Sequence, residues 1–169
     1  MIDQQIHDVY GGRIRVRVVA LIFDEIATED TKKPSLLLIK SKGLYGEDHF
    51  WSPPGGGLDF GETLEQGVKR EVLEETGLEI EVTKLVYVSE FVNVPLHAVE
   101  FYFVCRPIGG TLGIGNDPEL TDQVMLEVAY IPVDKLSQHR IYPHFIPKEL
   151  PQDLFSGFSE SIRYFSAGK

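Results

Sequence analysis

An α/β fold is the class this sequence predicts, on three observations. Strand-like apolar runs lie on both sides of a single well-capped helix. That helix opens directly after a glycine-rich loop. Two further strand-like runs close the pattern, with a short helical candidate behind them. At 169 residues the chain fits one domain, residues 1–169, large enough to bury a real core.

The first run, Ile14 to Phe23, alternates Arg13, Arg15 and Arg17 with Ile14, Val16 and Val18 and then turns wholly apolar. This reads as a strand half exposed at its start and buried at its end. Ser35 to Lys40 reads as a second, buried strand, a hairpin partner or close neighbour of the first. Lys42 to Trp51 reads as a loop. It enters Ser52-Pro53-Pro54-Gly55-Gly56-Gly57, where no regular element is expected to persist. Thr63 followed by Gln66 is the pattern of a capping box, and Gly77 stands where helices end, so a helix is expected from Thr63 to Thr76. Strands are expected at Ile80 to Ser89, Ala98 to Arg106 and Val124 to Ile131, with a short helix at Val133 to Leu136. The tail from His139 mixes prolines with Phe145, Phe155, Phe158, Tyr164 and Phe165 and is expected to pack back on the domain.

The formal charge of −10 argues against nucleic-acid binding, because phosphate backbones are held by an excess of lysine and arginine. A small phosphorylated substrate stays compatible with it if a metal ion supplies positive charge locally. Cys105 is the only cysteine, in the apolar setting Phe-Tyr-Phe-Val-Cys, and is expected to be a buried, inert thiol. No signal-peptide pattern and no apolar stretch of membrane-spanning length is present, so a cytoplasmic location away from membranes is expected.

One helix departs from a purely structural pattern. At about 100° per residue, Leu64, Val68 and Val72 share a stripe, and Glu71 and Glu75 fall within about 20° of it, with Glu74 on its flank. Three glutamates also crowd the helix's negative end, where lysine or arginine would be preferred. Glu71 and Glu75 add a like-charge i, i+4 pair. A bound cation is the natural remedy. Carboxylates without histidine or cysteine suit magnesium or manganese better than zinc.

The spacing carries a family resemblance. Gly56, five residues, Glu62, seven residues and then Arg70-Glu71-Val72-Leu73-Glu74-Glu75-Thr76-Gly77-Leu78 resembles the Nudix box, residues 56–78, at every fixed position. Chance agreement at seven such positions is on the order of 10⁻⁸ per window. The resemblance implies a Nudix fold, in which a mixed β-sheet is sandwiched between α-helices. It implies magnesium-dependent cleavage (manganese being the alternative ion) of a nucleoside diphosphate linked to another moiety. By matching positions it implies that Glu71, Glu74 and Glu75 ligate the metal with help from Glu62. Arg70 would hold the glutamates, and Gly55, Gly56 and Gly57 would let backbone approach metal and phosphates. The catalytic base is then a box glutamate or an acid on a later loop, with Glu119 as the candidate and Glu100 and Glu127 behind it. A homodimer is compatible with the resemblance, though nothing in the sequence selects it.

Specificity is less legible. Tyr45, His49, Phe50 and Trp51 precede the glycines and could contact a base, although such aromatics more often serve packing. Pro95 lies close to the marker proline of ADP-ribose-cleaving members. His97, His139 and His144 show no ligand spacing. Three functions therefore stand at this stage: hydrolysis of ADP-ribose or a related nucleotide sugar, hydrolysis of a nucleoside triphosphate such as an oxidised dNTP, and a nucleotide-sensing or binding module. The intact box favours an enzyme.

Overall fold

Strand β1 (Ile14–Ile22) becomes steadily more buried along its length, from Ile14 at 64% exposure to Val18, Ala20, Leu21 and Ile22 at zero. Its sequence explains this, because arginines alternate with aliphatics only over the first half. The computed structural model describes residues 7–24, 34–43, 48–115 and 124–168, and from residue 167 onwards only the backbone. Seven more strands follow: β2 (Ser35–Lys42), β3 (His49–Ser52), β4 (Gly55–Gly57), β5 (Leu78–Asn93), β6 (Leu96–Gly110), β7 (Met125–Pro132) and β8 (Arg163–Gly168). Helix α1 (Leu64–Thr76) lies between β4 and β5. A 3-10 turn (Val133–Gln138) and helix α2 (Ile146–Phe155) lie between β7 and β8.

The strands form two sheets. A five-stranded mixed sheet has the order β4-β1-β6-β5-β8, and a three-stranded antiparallel sheet the order β3-β2-β7. In the larger sheet β1 runs parallel to β6 and β5 parallel to β8. Alternation along β1 and β2 divides the interior into two layers. Val18, Ala20, Ile22 and Leu37 pack with Val68 and Val72 of α1. Val19, Leu21, Leu36 and Leu38 pack with Ile146 and Leu150 of α2. The α/β class is therefore as the sequence predicts, with strands layered between helices.

Several local expectations are corrected. β1 and β2 are close neighbours rather than a hairpin: they belong to different sheets, meet at the antiparallel bridge Phe23↔Leu36 and share both core layers. The glycines are not irregular, since Gly55–Gly57 pair antiparallel with Arg17–Val19. Glycine disfavours a strand through entropy, and here a neighbouring ladder supplies the hydrogen bonds that fix it. The end of the expected loop at Lys42–Trp51 is likewise strand β3, paired with Ile39–Lys42. The two strands after α1 are longer than expected and make one hairpin, turning at Val94-Pro95.

The tail does pack back. Leu136, Ile141, Ile146 and Leu150 are all 1% exposed or less. Phe145 stacks on Phe165 at 4.1 Å, and both rings flank Tyr87. The Tyr87 hydroxyl donates to Asp153 at 2.7 Å, and Arg163 joins Asp153 to Glu149. Cys105 is buried, which pushes its thiol up to about 12, so it stays protonated and unreactive. Among the described residues, no helix is long and apolar enough to cross a membrane.

Candidate active site

Helix α1 begins and ends where its sequence dictates. The Thr63 hydroxyl accepts from the Gln66 N–H while the Gln66 side chain accepts from the Thr63 N–H, closing the capping box. Gly77 takes the left-handed conformation (φ 72°) and its N–H donates to the Leu73 carbonyl. The crowding of acids at this end has a structural counterpart in the segment after β6. The Gly113 and Gly115 N–H groups donate to the carbonyls of Thr76 and Glu75, at 2.9 Å each. These bonds satisfy the orphan carbonyls and offset part of the negative helix end.

The face of α1 toward the sheet buries Gly67, Val68, Glu71, Val72 and Thr76. Glu71 thus occupies a core position, as its phase on the helix predicts, and burial pushes its carboxyl above the usual range against the pull of Arg70 and Arg17. It comes to rest against β4. A Cβ on Gly56 would land on the Glu71 carboxylate, so only glycine leaves the carboxylate its place. Glu75 reaches the same strand, where its Oε2 accepts from the Gly55 N–H at 2.7 Å. At Gly55 a side chain would collide with the backbone of Val18 and Val19.

Arg70 ties the remaining acids together. Its Nε and Nη2 donate to the two oxygens of Glu62 at 2.7 and 3.0 Å, the bidentate geometry of a strong pair. Nη1 donates to Glu71 at 2.9 Å and to Glu74 at 3.2 Å, and Nη2 also reaches the Gly57 carbonyl at 3.0 Å. The Arg70 hydrogen bond holds the Glu62 carboxyl below its ordinary range. So Arg70 links Glu62, just ahead of α1, to Glu71 and Glu74 in its last two turns, while Glu71 and Glu75 meet the glycine strand. Among the described residues, however, no three acidic, histidine or cysteine side chains enclose a single point.

Other candidates separate clearly. Glu119 and Tyr45 lie outside the described residues. Glu127 is half exposed, 3.8 Å from Lys40, on the smaller sheet. Trp51 is buried in the α2-side core, and Phe50 meets Tyr142 edge-on at 5.6 Å. His49 pairs with Asp48 at 2.8 Å, His97 with Glu90 at 3.1 Å, and His139 packs edge-on against Trp51. Pro95 sits in the β5–β6 turn, where its carbonyl accepts from the Gly12 N–H. It is five residues, or about 17 Å of strand, from Glu100.

Sequence reasoning underrated Glu100 and missed its partners. Glu100 does not point to solvent: it accepts from Arg17 Nε at 3.0 Å and from the Tyr102 hydroxyl at 2.6 Å. Arg17 stands opposite both Glu100 and Gly57 in the sheet register. The signal lay in Arg17 on a strand that turns apolar immediately afterwards, but the strand order needed to pair it was not legible.

A model of the NUDIX domain matches residues 14–149, most of the chain. The chain belongs to the NUDIX family. It is 38% identical over 88 residues to a MutT-like protein of Streptomyces ambofaciens, an alignment covering 52% of this chain and 51% of that one. It is 39% identical over 100 residues to an ADP-ribose pyrophosphatase of Methanocaldococcus jannaschii, covering 58% and 57% respectively. The matched region thus spans about half the length of these curated relatives. Among solved NUDIX-like folds, a UDP-X diphosphatase superposes with a TM-score of 0.64 at 19% identity, over 90% of this chain and 67% of the other. At that identity the superposition speaks for the NUDIX fold alone.

Proposed function

We propose that this NUDIX protein is a magnesium-dependent pyrophosphohydrolase that cuts the diphosphate of a nucleoside diphosphate linked to a second moiety, of the ADP-ribose or nucleotide-sugar class. The observation that carries the reading is the meeting of Glu71 and Glu75 on the glycine strand, with Glu62 and Glu74 braced by one arginine. This donor set is made of oxygens only, which suits a hard ion. The ADP-ribose pyrophosphatase relative supports the substrate class.

Glu71 and Glu75 would hold the metal, Glu74 would complete the donors on the exposed flank, and Glu62 would act through Arg70. A divalent ion bound there supplies the positive charge that lets water approach a diphosphate. Arg70 keeps like charges together by donating to three of them, Glu71 and Glu74 in the last two turns of α1 and Glu62 ahead of it. The glycines bring backbone close to the carboxylates, since any side chain on Gly56 would displace Glu71. Glu119, four residues beyond Gly115 in the sequence, is our candidate for accepting the proton from water.

A phosphate-coupled hydrolysis panel with magnesium tests this, spanning ADP-ribose, nucleotide sugars, dinucleoside polyphosphates, and normal and oxidised dNTPs. Preference for a nucleoside diphosphate linked to a second moiety is the expected result. Preference for an oxidised dNTP would replace the substrate class, and silence with both magnesium and manganese would overturn the enzymatic reading. Glu74→Gln and Glu75→Gln should each remove most activity with the fold intact. Millimolar magnesium should raise the melting temperature of the wild type.

A further inference from the structure

Arg70 has its donors committed to Glu62, Glu71, Glu74 and Gly57. Arg17, on the other side of the glycine strand, is differently used. Its Nε is anchored on Glu100, whose second oxygen is held by the Tyr102 hydroxyl. Tyr102 is 1% exposed and Glu100 is largely buried, so the anchor is rigid. The outer end of the guanidinium is left with little to do. Nη2 lies 3.4 Å from the Gly55 carbonyl, at the limit of a hydrogen bond, and Nη1 has no acceptor among the described residues. The side chain keeps 28% of its surface open.

The placement matters because Gly55 is shared. Its carbonyl faces Arg17 and its N–H is held by Glu75. Burial alone would lower the affinity of the Arg17 guanidinium for its proton, but Glu100, Tyr102, Glu75 and Glu71 together raise it. An arginine fixed through Nε, with Nη2 held only by a long bond and Nη1 without an acceptor among the described residues, presents the planar fork that matches phosphate oxygens. In a chain of net charge −10, a fixed guanidinium here adds to the positive charge that a metal ion would bring to a polyanion.

We propose that Arg17 binds non-bridging oxygens of the substrate's diphosphate, with Glu100 and Tyr102 as positioning residues that aim its fork. The assignment rests on the diphosphate reading above and names a contact outside the box. Lysine at this position reaches one partner at a time: it either satisfies Glu100 or meets the phosphate.

The test is calorimetric titration with α,β-methylene-ADP, a non-hydrolysable nucleoside diphosphate, in magnesium, on the full chain, with adenosine as the uncharged control. Arg17→Lys should weaken α,β-methylene-ADP by about tenfold or more while leaving adenosine unchanged. Tyr102→Phe removes one hydroxyl and should weaken the diphosphate several-fold while the chain still folds at a somewhat lower melting temperature, which keeps the test readable if Arg17→Lys fails to fold. Equal affinities across wild type, Arg17→Lys and Tyr102→Phe would overturn the assignment, as would absence of wild-type binding. If the hydrolysis panel is silent but the affinities fall as expected, the enzymatic reading fails and Arg17 stands as a diphosphate ligand. If hydrolysis is robust and the affinities do not move, Arg17 alone is misassigned.

Discussion

Glu71 is held in its buried position at a cost that its neighbours only partly offset. Burial raises its carboxyl above the usual range, so the folded protein binds that proton more tightly than the unfolded chain does. Stability from this group is therefore present below the unfolded carboxylate range and is lost as pH rises through the raised folded value. Glutamine is a neutral stand-in for the protonated acid. Without metal, Glu71→Gln should melt at or above the wild-type temperature, by up to about 4 °C for each kcal/mol regained, and should lose most of its activity. A lower melting temperature in calorimetry would show that the bond from Arg70 outweighs burial. Arg70 itself spans Glu62 with two donors and reaches Glu71 and Glu74 with a third, which an ammonium cannot reproduce. Arg70→Lys should cost about 10–100-fold in activity or magnesium affinity, because it releases the glutamates proposed as ligands. Activity within twofold of wild type would remove Arg70 from the site.

At the scale of elements, α1 was the best-read part of the molecule, and the reason is local. Its cap, its stop and the phase of its apolar and acidic residues all depend on neighbours within a few positions, and Thr63, Gly77, Glu71 and Val72 stand as expected. Thr63→Ala should therefore cost about 1 kcal/mol, seen as a fall of roughly 2–4 °C in melting temperature, with activity retained once folded. No loss of stability would mean the box bonds are redundant with the packing of Val68 and Val72. What the sequence hid is non-local. Gly55–Gly57 carry no strand propensity and become a strand only because β1 lies alongside. Glu100 reads as a surface acid until β1 and β6 are known to be neighbours, separated by 83 residues between Arg17 and Glu100. The prolines of the tail concealed α2, whose start accommodates Pro147 where no helical N–H is required.

The molecule as a whole depends on that tail. Leu150 lies just beyond the matched NUDIX residues, yet it is completely buried against the α2-side core. Leu150→Ala should cost about 2–5 kcal/mol, or roughly 4–20 °C, by leaving a cavity on the face of the sheet away from α1. Thermal denaturation checks the loss. A normal magnesium requirement in the surviving folded fraction would locate the damage away from the glutamates.

The parallel pairing of β1 with β6 also sets a timetable for biosynthesis. β1 is made early, and its partner emerges only after the 83 residues separating Arg17 from Glu100 have been added, roughly 4–17 s at ordinary elongation rates. Until then the aliphatic run Val18 to Ile22 lacks one of its two flanking strands and remains a sticky segment on an unfinished polypeptide. The glycine strand and Arg17 wait with it. A nascent chain halted before β6 would carry every glutamate of the box while β1, the strand that holds the glycines in register, still lacks its second neighbour.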